Sequence, residues 1–318
     1  MENASYETLF ILTPFQDMGN NKDIYFWLSL ICYILIIVFN SALIVFICLE
    51  KTLHEPMYIF LSNLLFSALI GSTSFFIKFM IDLRTSIPVV SRSVCFFQIF
   101  LTYTYVFGEI TILTVMAYDR YIAINWPLQY MTIISVTKIK KLIFLAWAYP
   151  SFMVTVGILL TVRLSLCGNQ INWLYCNYWE IVKLSCLETI TSNVYTFVFF
   201  FTFLIPFSFI IYSYIKILIL CWNNSSSHKK KAFQTCLPHL ITLILLLSSI
   251  FFEIIDSRFN SKRATSSISA VASLEKIVLP PLLNPLIYGI ILPGIRNRII
   301  FIFLCKTNKQ HISIHAAC

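Results

Sequence analysis

The chain has 318 residues and 36.9 kDa, with 58% apolar residues, only 12% charged residues and a mean hydropathy of +0.82. A soluble domain carries about 25% charged residues, and 29 Phe and 16 Tyr would leave large apolar patches on a water-facing globule. Seven Gly and eleven Pro exclude collagen-like and low-complexity classes, so the composition is that of a polytopic membrane protein with a net charge of +9.

In chain order, residues 1–24 read as an outer tail. They hold acids and no basic leader, and no cleavable signal peptide is expected, because the apolar run that follows is too long for one. Asn3-Ala-Ser5 is a glycosylation sequon on that tail. Seven apolar stretches then follow, at 25–49, 57–77, 95–118, 142–162, 193–215, 232–252 and 268–292. Each is long enough to cross ~30 Å of hydrocarbon as a helix, and lipid leaves the backbone no other partner. Residues 293–318 read as a cytoplasmic tail whose first part, 294–306, mixes basic and bulky apolar residues, as a short helix lying on the inner interface does. Cys305 on it is either acylated or an unmodified thiol. The predicted fold class is an all-α seven-transmembrane bundle with a short amphipathic cytoplasmic helix.

Charge sets the orientation. With the amino terminus outside, the cytoplasmic segments sum to +10 and the outer ones to zero; Glu109, inside the third span, brings the total to +9. Basic excess on one side is a topology signal and a match to anionic inner-leaflet lipid. It is no nucleic-acid footprint, since basic and aromatic residues do not interleave outside the membrane. Four of the ten cysteines, Cys95, Cys167, Cys176 and Cys186, fall on the outer, oxidising side, where four thiols allow three pairings. The other six sit in spans or cytosol and are expected to stay reduced. No Cys/His grouping has metal spacing, no cofactor motif occurs, and no nucleophile–base pair or phosphate loop suggests an enzyme.

Polar groups inside spans are expensive and mark function. Glu109 and Arg120 lie eleven residues apart, within ~20° of three helical turns, and therefore share a face. Thr102 joins that stripe seven residues earlier. The third span thus runs from an uncharged outer mouth past a buried acid to Asp119-Arg120-Tyr121.

Here the sequence resembles the odorant receptors, within the rhodopsin class of G-protein-coupled receptors. Four segments carry the likeness: Leu53-His-Glu-Pro-Met-Tyr-Ile-Phe-Leu61, Met116-Ala-Tyr-Asp-Arg-Tyr-Ile-Ala-Ile124, Lys231-Ala-Phe-Gln-Thr-Cys236 with His239, and Pro281-Leu-Leu-Asn-Pro-Leu-Ile-Tyr288. The outer-loop cysteine triplet adds to them. The resemblance implies Cys95–Cys176 and Cys167–Cys186 disulfides and a small odorant bound between the third, fifth and sixth spans. Its partners would be that odorant, a heterotrimeric G protein of the cyclic-AMP-raising type and membrane lipid, at the plasma membrane of sensory cilia. On activation Arg120 would leave Asp119 while Tyr214 and Tyr288 turn in; Tyr121, Lys231, His239, Asn284 and Pro285 complete the coupling set. Pocket candidates are Thr102, Tyr103, Val106 and Phe107 on the third span, Phe199 and Thr202 on the fifth, and Leu247, Phe251, Ile254 and Arg258 on the sixth. Thr102 stands where amine receptors carry an ammonium-binding Asp, and Arg258 is placed to meet a carboxylate.

The sequence also departs from the family pattern. Phe39 precedes Asn40 where Gly is usual. Ala68 replaces the second-span Asp that binds sodium with an acid like Glu109. Leu246-Leu247-Ser248 stands where Phe-Tyr-Gly is common. Val278 occupies the place of the retinal-bearing Lys of opsins, which argues against a light-driven protein. A non-odorant rhodopsin-class receptor for a peptide or lipid, and a seven-span channel or transporter, are the rival readings.

Overall fold

The computed structural model describes residues 9–16, 18–186, 190–222, 236–251 and 267–301. Its longer helices, in chain order, are α1 (Lys22–Leu49), α2 (Pro56–Arg84), α3 (Arg92–Asn125), α4 (Val136–Val162), α5 (Ile190–Trp222), α6 (Cys236–Phe251), α7 (Ser267–Ile291) and α8 (Pro293–Phe301). Their starts follow local chemistry. Pro56 opens α2, where its missing N–H costs nothing. Ser91 and Ser135 cap α3 and α4 by accepting from the Val94 and Lys138 amides. Four helices, α1 to α4, are long and apolar enough to cross a membrane, and α7 and α8 pass as a pair bent by 75°.

α3 is the axis of the bundle, packed against α2, α4 and α5, while α7 lies against α1 and α2. In its apolar window 78% of residues are buried, against 22% in α1 and α4. The outer helices instead turn Trp27, Phe144 and Phe152 away from the protein, as lipid-facing walls do.

Prolines decide several of the contacts between helices. A proline inside a helix lacks the N–H that would bond the carbonyl four residues earlier. Pro150 so frees the Ala146 carbonyl, and the Thr111 hydroxyl of α3 donates to it at 2.7 Å. Pro285 frees the Pro281 carbonyl, and Asn40 Nδ2 of α1 donates to it at 2.7 Å. Each break in a helix becomes a joint to its neighbour. Elsewhere Trp147 donates to Asn63 at 3.1 Å and Tyr33 to Thr73 at 3.1 Å, tying α4 and α1 to α2. Gly71 of α2 lets Tyr105 of α3 lie flat on the backbone; a Cβ there would sit 2.2 Å from the Tyr105 ring. Gly294 likewise admits Tyr58, whose hydroxyl would stand 2.0 Å from an added Cβ.

One end of the bundle is roofed. Both disulfides implied by the family resemblance are present, Cys95–Cys176 and Cys167–Cys186. The first ties the α4–α5 loop to the start of α3, and the second closes that loop on itself. A three-stranded sheet joins the same end: β1 (Leu9–Leu12) pairs antiparallel with β2 (Val89–Ser91) and parallel with β3 (Gln170–Ile171). At the opposite end α8 is tied back by Arg298, which donates to Glu50 at 2.7 Å.

Candidate functional site

Below the roof, α3, α4 and α5 and the α4–α5 loop bring aromatic rings together. Phe107 meets Phe203 with centroids 4.2 Å apart, Phe203 meets Tyr149 at 5.5 Å, and Tyr103 meets Phe107 at 6.1 Å and Tyr178 at 6.4 Å. Val106, Ile110, Val154 and Leu246 complete the cluster. Ring pairs at about these separations are favourable contacts, and a mostly apolar, ring-rich cluster with few polar groups offers the kind of surface a small organic ligand needs. Thr102 is buried one step to the side, its hydroxyl 3.2 Å from Ser74 of α2. Gln98, a turn above, donates to the Ser74 carbonyl at 3.1 Å and accepts from the Cys176 amide at 3.0 Å. The disulfide-bound loop is therefore coupled to the α2–α3 contact.

Several pocket candidates fall elsewhere. On α6, Leu246 enters the ring cluster, whereas Leu247 packs into the core nearer the Asp119 end and Phe251 is 66% exposed. The apolar stripe Leu243, Leu246, Ile250 lies one residue, about 100°, from the stripe assigned through Leu247 and Phe251. On α5 the ring in contact is Phe203, next to Thr202. Ile254, Arg258, Lys231 and Asn3 lie outside the described residues, as does the side chain of Phe199.

A chain of buried polar groups leads from this cluster toward Arg120. Glu109, wholly buried, accepts from Asn284 Nδ2 at 3.1 Å and from the Tyr105 phenol one turn earlier on α3. Asn284 in turn accepts from the Thr242 hydroxyl of α6 at 2.9 Å. One turn on along α7, Tyr288 meets His239 Nδ1 at 3.2 Å, and His239 stacks on Tyr214 of α5 at 6.4 Å. Asn284, Tyr288, His239 and Thr242 are all 1% exposed or less. Two hydrogen-bonded sets thus follow one another in a buried column, Glu109, Asn284 and Thr242 across α3, α7 and α6, then Tyr288 and His239 across α7 and α6, with Tyr214 of α5 stacked against the second. Ala68, also fully buried, brings no second acid to Glu109, so a site built on two acids is absent among the described residues.

The column ends at a clasp. Arg120 Nε donates to Asp119 Oδ2 at 2.9 Å and its terminal nitrogen bonds the same oxygen. The other oxygen, Oδ1, accepts from Tyr130 at 2.6 Å. Burial, and the Asp119 carboxylate beside it, hold the Tyr130 phenol above its ordinary range, so it stays a donor at neutral pH. Asp119 is therefore satisfied on both oxygens while its side chain is 1% exposed. Tyr121, beside the clasp, reaches Tyr212 of α5. Sequence reasoning missed Tyr130, Asn40 and Thr242 as members of these networks. Asn40 and Thr242 are polar residues inside apolar stretches, which was a readable signal; Tyr130 opens a four-residue helix, Tyr130–Ile133, between two spans and carried none.

A family model described as Olfactory receptor matches residues 28–306. The chain is 32% identical to Olfactory receptor 1 of Rattus norvegicus over 313 residues, 97% of this chain and 98% of that one. It is 32% identical to Olfactory receptor 1D2 of Homo sapiens over 292 residues, 91% of this chain and 92% of that one. In three dimensions it is similar to squid rhodopsin, with a TM-score of 0.66 over 89% of this chain and 86% of that one at 17% identity, which speaks for the fold.

Proposed function

Since the chain belongs to the olfactory receptor family, we propose that it is an odorant receptor that binds a small molecule in the ring cluster of α3, α5 and α6 and activates a G protein at the Arg120 end. Its amino terminus and disulfides face outward, its carboxyl terminus faces the cytosol, and Asn3 carries the glycan. The protein crosses the plasma membrane of sensory cilia.

The observation that carries this reading is the buried column from Glu109 through Asn284, Thr242, Tyr288 and His239. It joins the helices that would have to move to the helix that holds the ligand. A guest beside Phe107 and Phe203 that favours a different packing of α5 and α6 shifts Thr242 and His239 against Asn284 and Tyr288. In the favoured state the inner end of α6 swings outward and Arg120 leaves Asp119. Tyr214 and Tyr288 turn in, and the opened cavity takes the tail of a stimulatory G-protein α-subunit. The ligand shifts this equilibrium only by its differential affinity for the two states; ~100-fold is worth ~2.7 kcal/mol. The lining of apolar rings with a few hydroxyls suits compact, weakly polar organic molecules better than amines.

A cyclic AMP screen of volatile and water-soluble odorants in cells with and without the stimulatory α-subunit tests the reading. Odorant-dependent cyclic AMP that requires the subunit is expected. A ligand-gated current that persists without any G protein would favour the channel reading instead.

A further inference from the structure

The sequence predicts a plain outer tail over the first 24 residues, yet residues 9–15 are built into the roof. β1 lies between two segments distant in sequence, with Ile11 N–H donating to the Asn169 carbonyl at 2.8 Å and Leu12 N–H to the Pro88 carbonyl at 3.0 Å. The Thr13 hydroxyl adds a bond to Asn172 Oδ1 at 2.7 Å. Strand addition of this kind takes its hold from main-chain bonds and its fit from alternate side chains. Here the alternate residues Phe10 and Leu12, and then Phe15, are 2%, 1% and 0% exposed. They share one apolar cluster with Phe79 of α2, Phe96 of α3, Ile171 and Tyr175 of the loop, and Ile277 of α7. Phe15 sits 5.5 Å from Phe79, ring to ring. Tyr103 touches both this cluster and the ring cluster below.

We propose that residues 9–15 are a lid over the odorant chamber, and that Phe10, Leu12 and Phe15 set how fast a ligand enters and leaves it. The inference rests on the receptor reading for its ligand, but the lid itself is a property of the fold. Three apolar side chains are buried in a cluster shared with α2, α3 and α7, and the segment that carries them is held by short strand pairings and a few further main-chain bonds. A segment of this size can open locally without the bundle unfolding. The strand also bonds to the loop that Cys176 anchors to α3, so the loop is a fixed frame from which the strand parts.

The test uses the full chain at the cell surface and two independent variants. Ile11→Pro removes the N–H that bonds Asn169, and Phe15→Ala removes the plug while leaving every backbone bond in place. Each is read in two ways, on surface receptors only. In the first, Tyr103→Cys serves as a reporter for a membrane-impermeant thiol reagent, with the same receptor lacking that substitution as background. The lid account expects either variant to raise the labelling rate about tenfold or more, a factor equivalent to ~1.4 kcal/mol. In the second, without the reporter, odorant responses should begin and decay faster, with both rates rising together and the half-maximal concentration changing less than either. A strand that merely supports the fold would lower receptor number and leave labelling and response kinetics of the remaining receptors unchanged. That outcome would overturn the proposal. Labelling needs no odorant, so a receptor that responds to none would count against the proposed function while the lid is still decided by the thiol rates.

Discussion

Asn40 offers a direct test of the idea that proline breaks serve as joints. Its Nδ2 holds the Pro281 carbonyl at 2.7 Å, an acceptor that Pro285 leaves without a helical partner. Asn40→Leu keeps the volume and removes the donor. The second acceptor, the Ile36 carbonyl at 2.8 Å, keeps its own helical bond and loses little. Stripping one buried carbonyl costs ~1–3 kcal/mol in a protein interior, whereas hydrogen bonds between membrane helices average nearer ~0.6 kcal/mol. Asn40 Oδ1 is buried with no partner among the described residues, so its removal offsets part of the loss. A net cost of ~1 kcal/mol follows, or about 1–2 °C in the thermal midpoint of a chain of 318 residues. The decisive comparison is on a Pro285→Ala background, where an N–H at position 285 again bonds the Pro281 carbonyl. There Asn40→Leu should cost nothing measurable, a coupling that thermal unfolding of purified receptor reads as a double-mutant cycle. Equal losses on both backgrounds would refute the reasoning.

Two further outcomes follow from the packing. Gly71→Ala places a methyl 2.2 Å from the Tyr105 ring; overpacking costs of ~1–3 kcal/mol outweigh the ~1 kcal/mol that Ala gains over Gly in a helix. Its surface expression and thermal midpoint should fall, and an unchanged midpoint would contradict the tight α2–α3 contact. Tyr130→Phe strips the 2.6 Å bond from buried Asp119 in the clasped state, a charged hydrogen bond worth ~1.5–3 kcal/mol. Ligand-independent cyclic AMP should therefore rise at matched surface expression, and an unaltered baseline would show that Tyr130 does not hold the clasp.

Much of this architecture was legible in the sequence because lipid imposes so simple a rule. Long apolar runs must be helical, and the polar residues stranded in them, Glu109 and His239, were visible as misfits, while Asn284 came with the motif of the family resemblance. α2 nevertheless runs to Arg84, beyond the apolar window ending at 77, because Lys78 and Asp82 pair with each other one turn apart and conceal their charge. β1 was illegible for a different reason. Leu9–Leu12 is too short for any periodic signal, and its partners lie some 80 and 160 positions away, Leu9 pairing with Ser91 and Leu12 with Ile171. The pocket candidates divide along the same line. On α3, whose face Glu109 and Arg120 fix, Tyr103, Val106 and Phe107 stand in or beside the ring cluster. α6 offers no such anchor beside Leu247, and there the stripe falls on Leu246.

The account holds that a guest bound among the rings is reported to the cytosol by Arg120 letting go of Asp119. Arg120→Gln, compared with the unaltered receptor at equal surface density, measures this most directly when odorant binding and cyclic AMP are followed in the same cells. Binding should persist while the cyclic AMP response disappears. A variant that binds and signals in full would contradict the account.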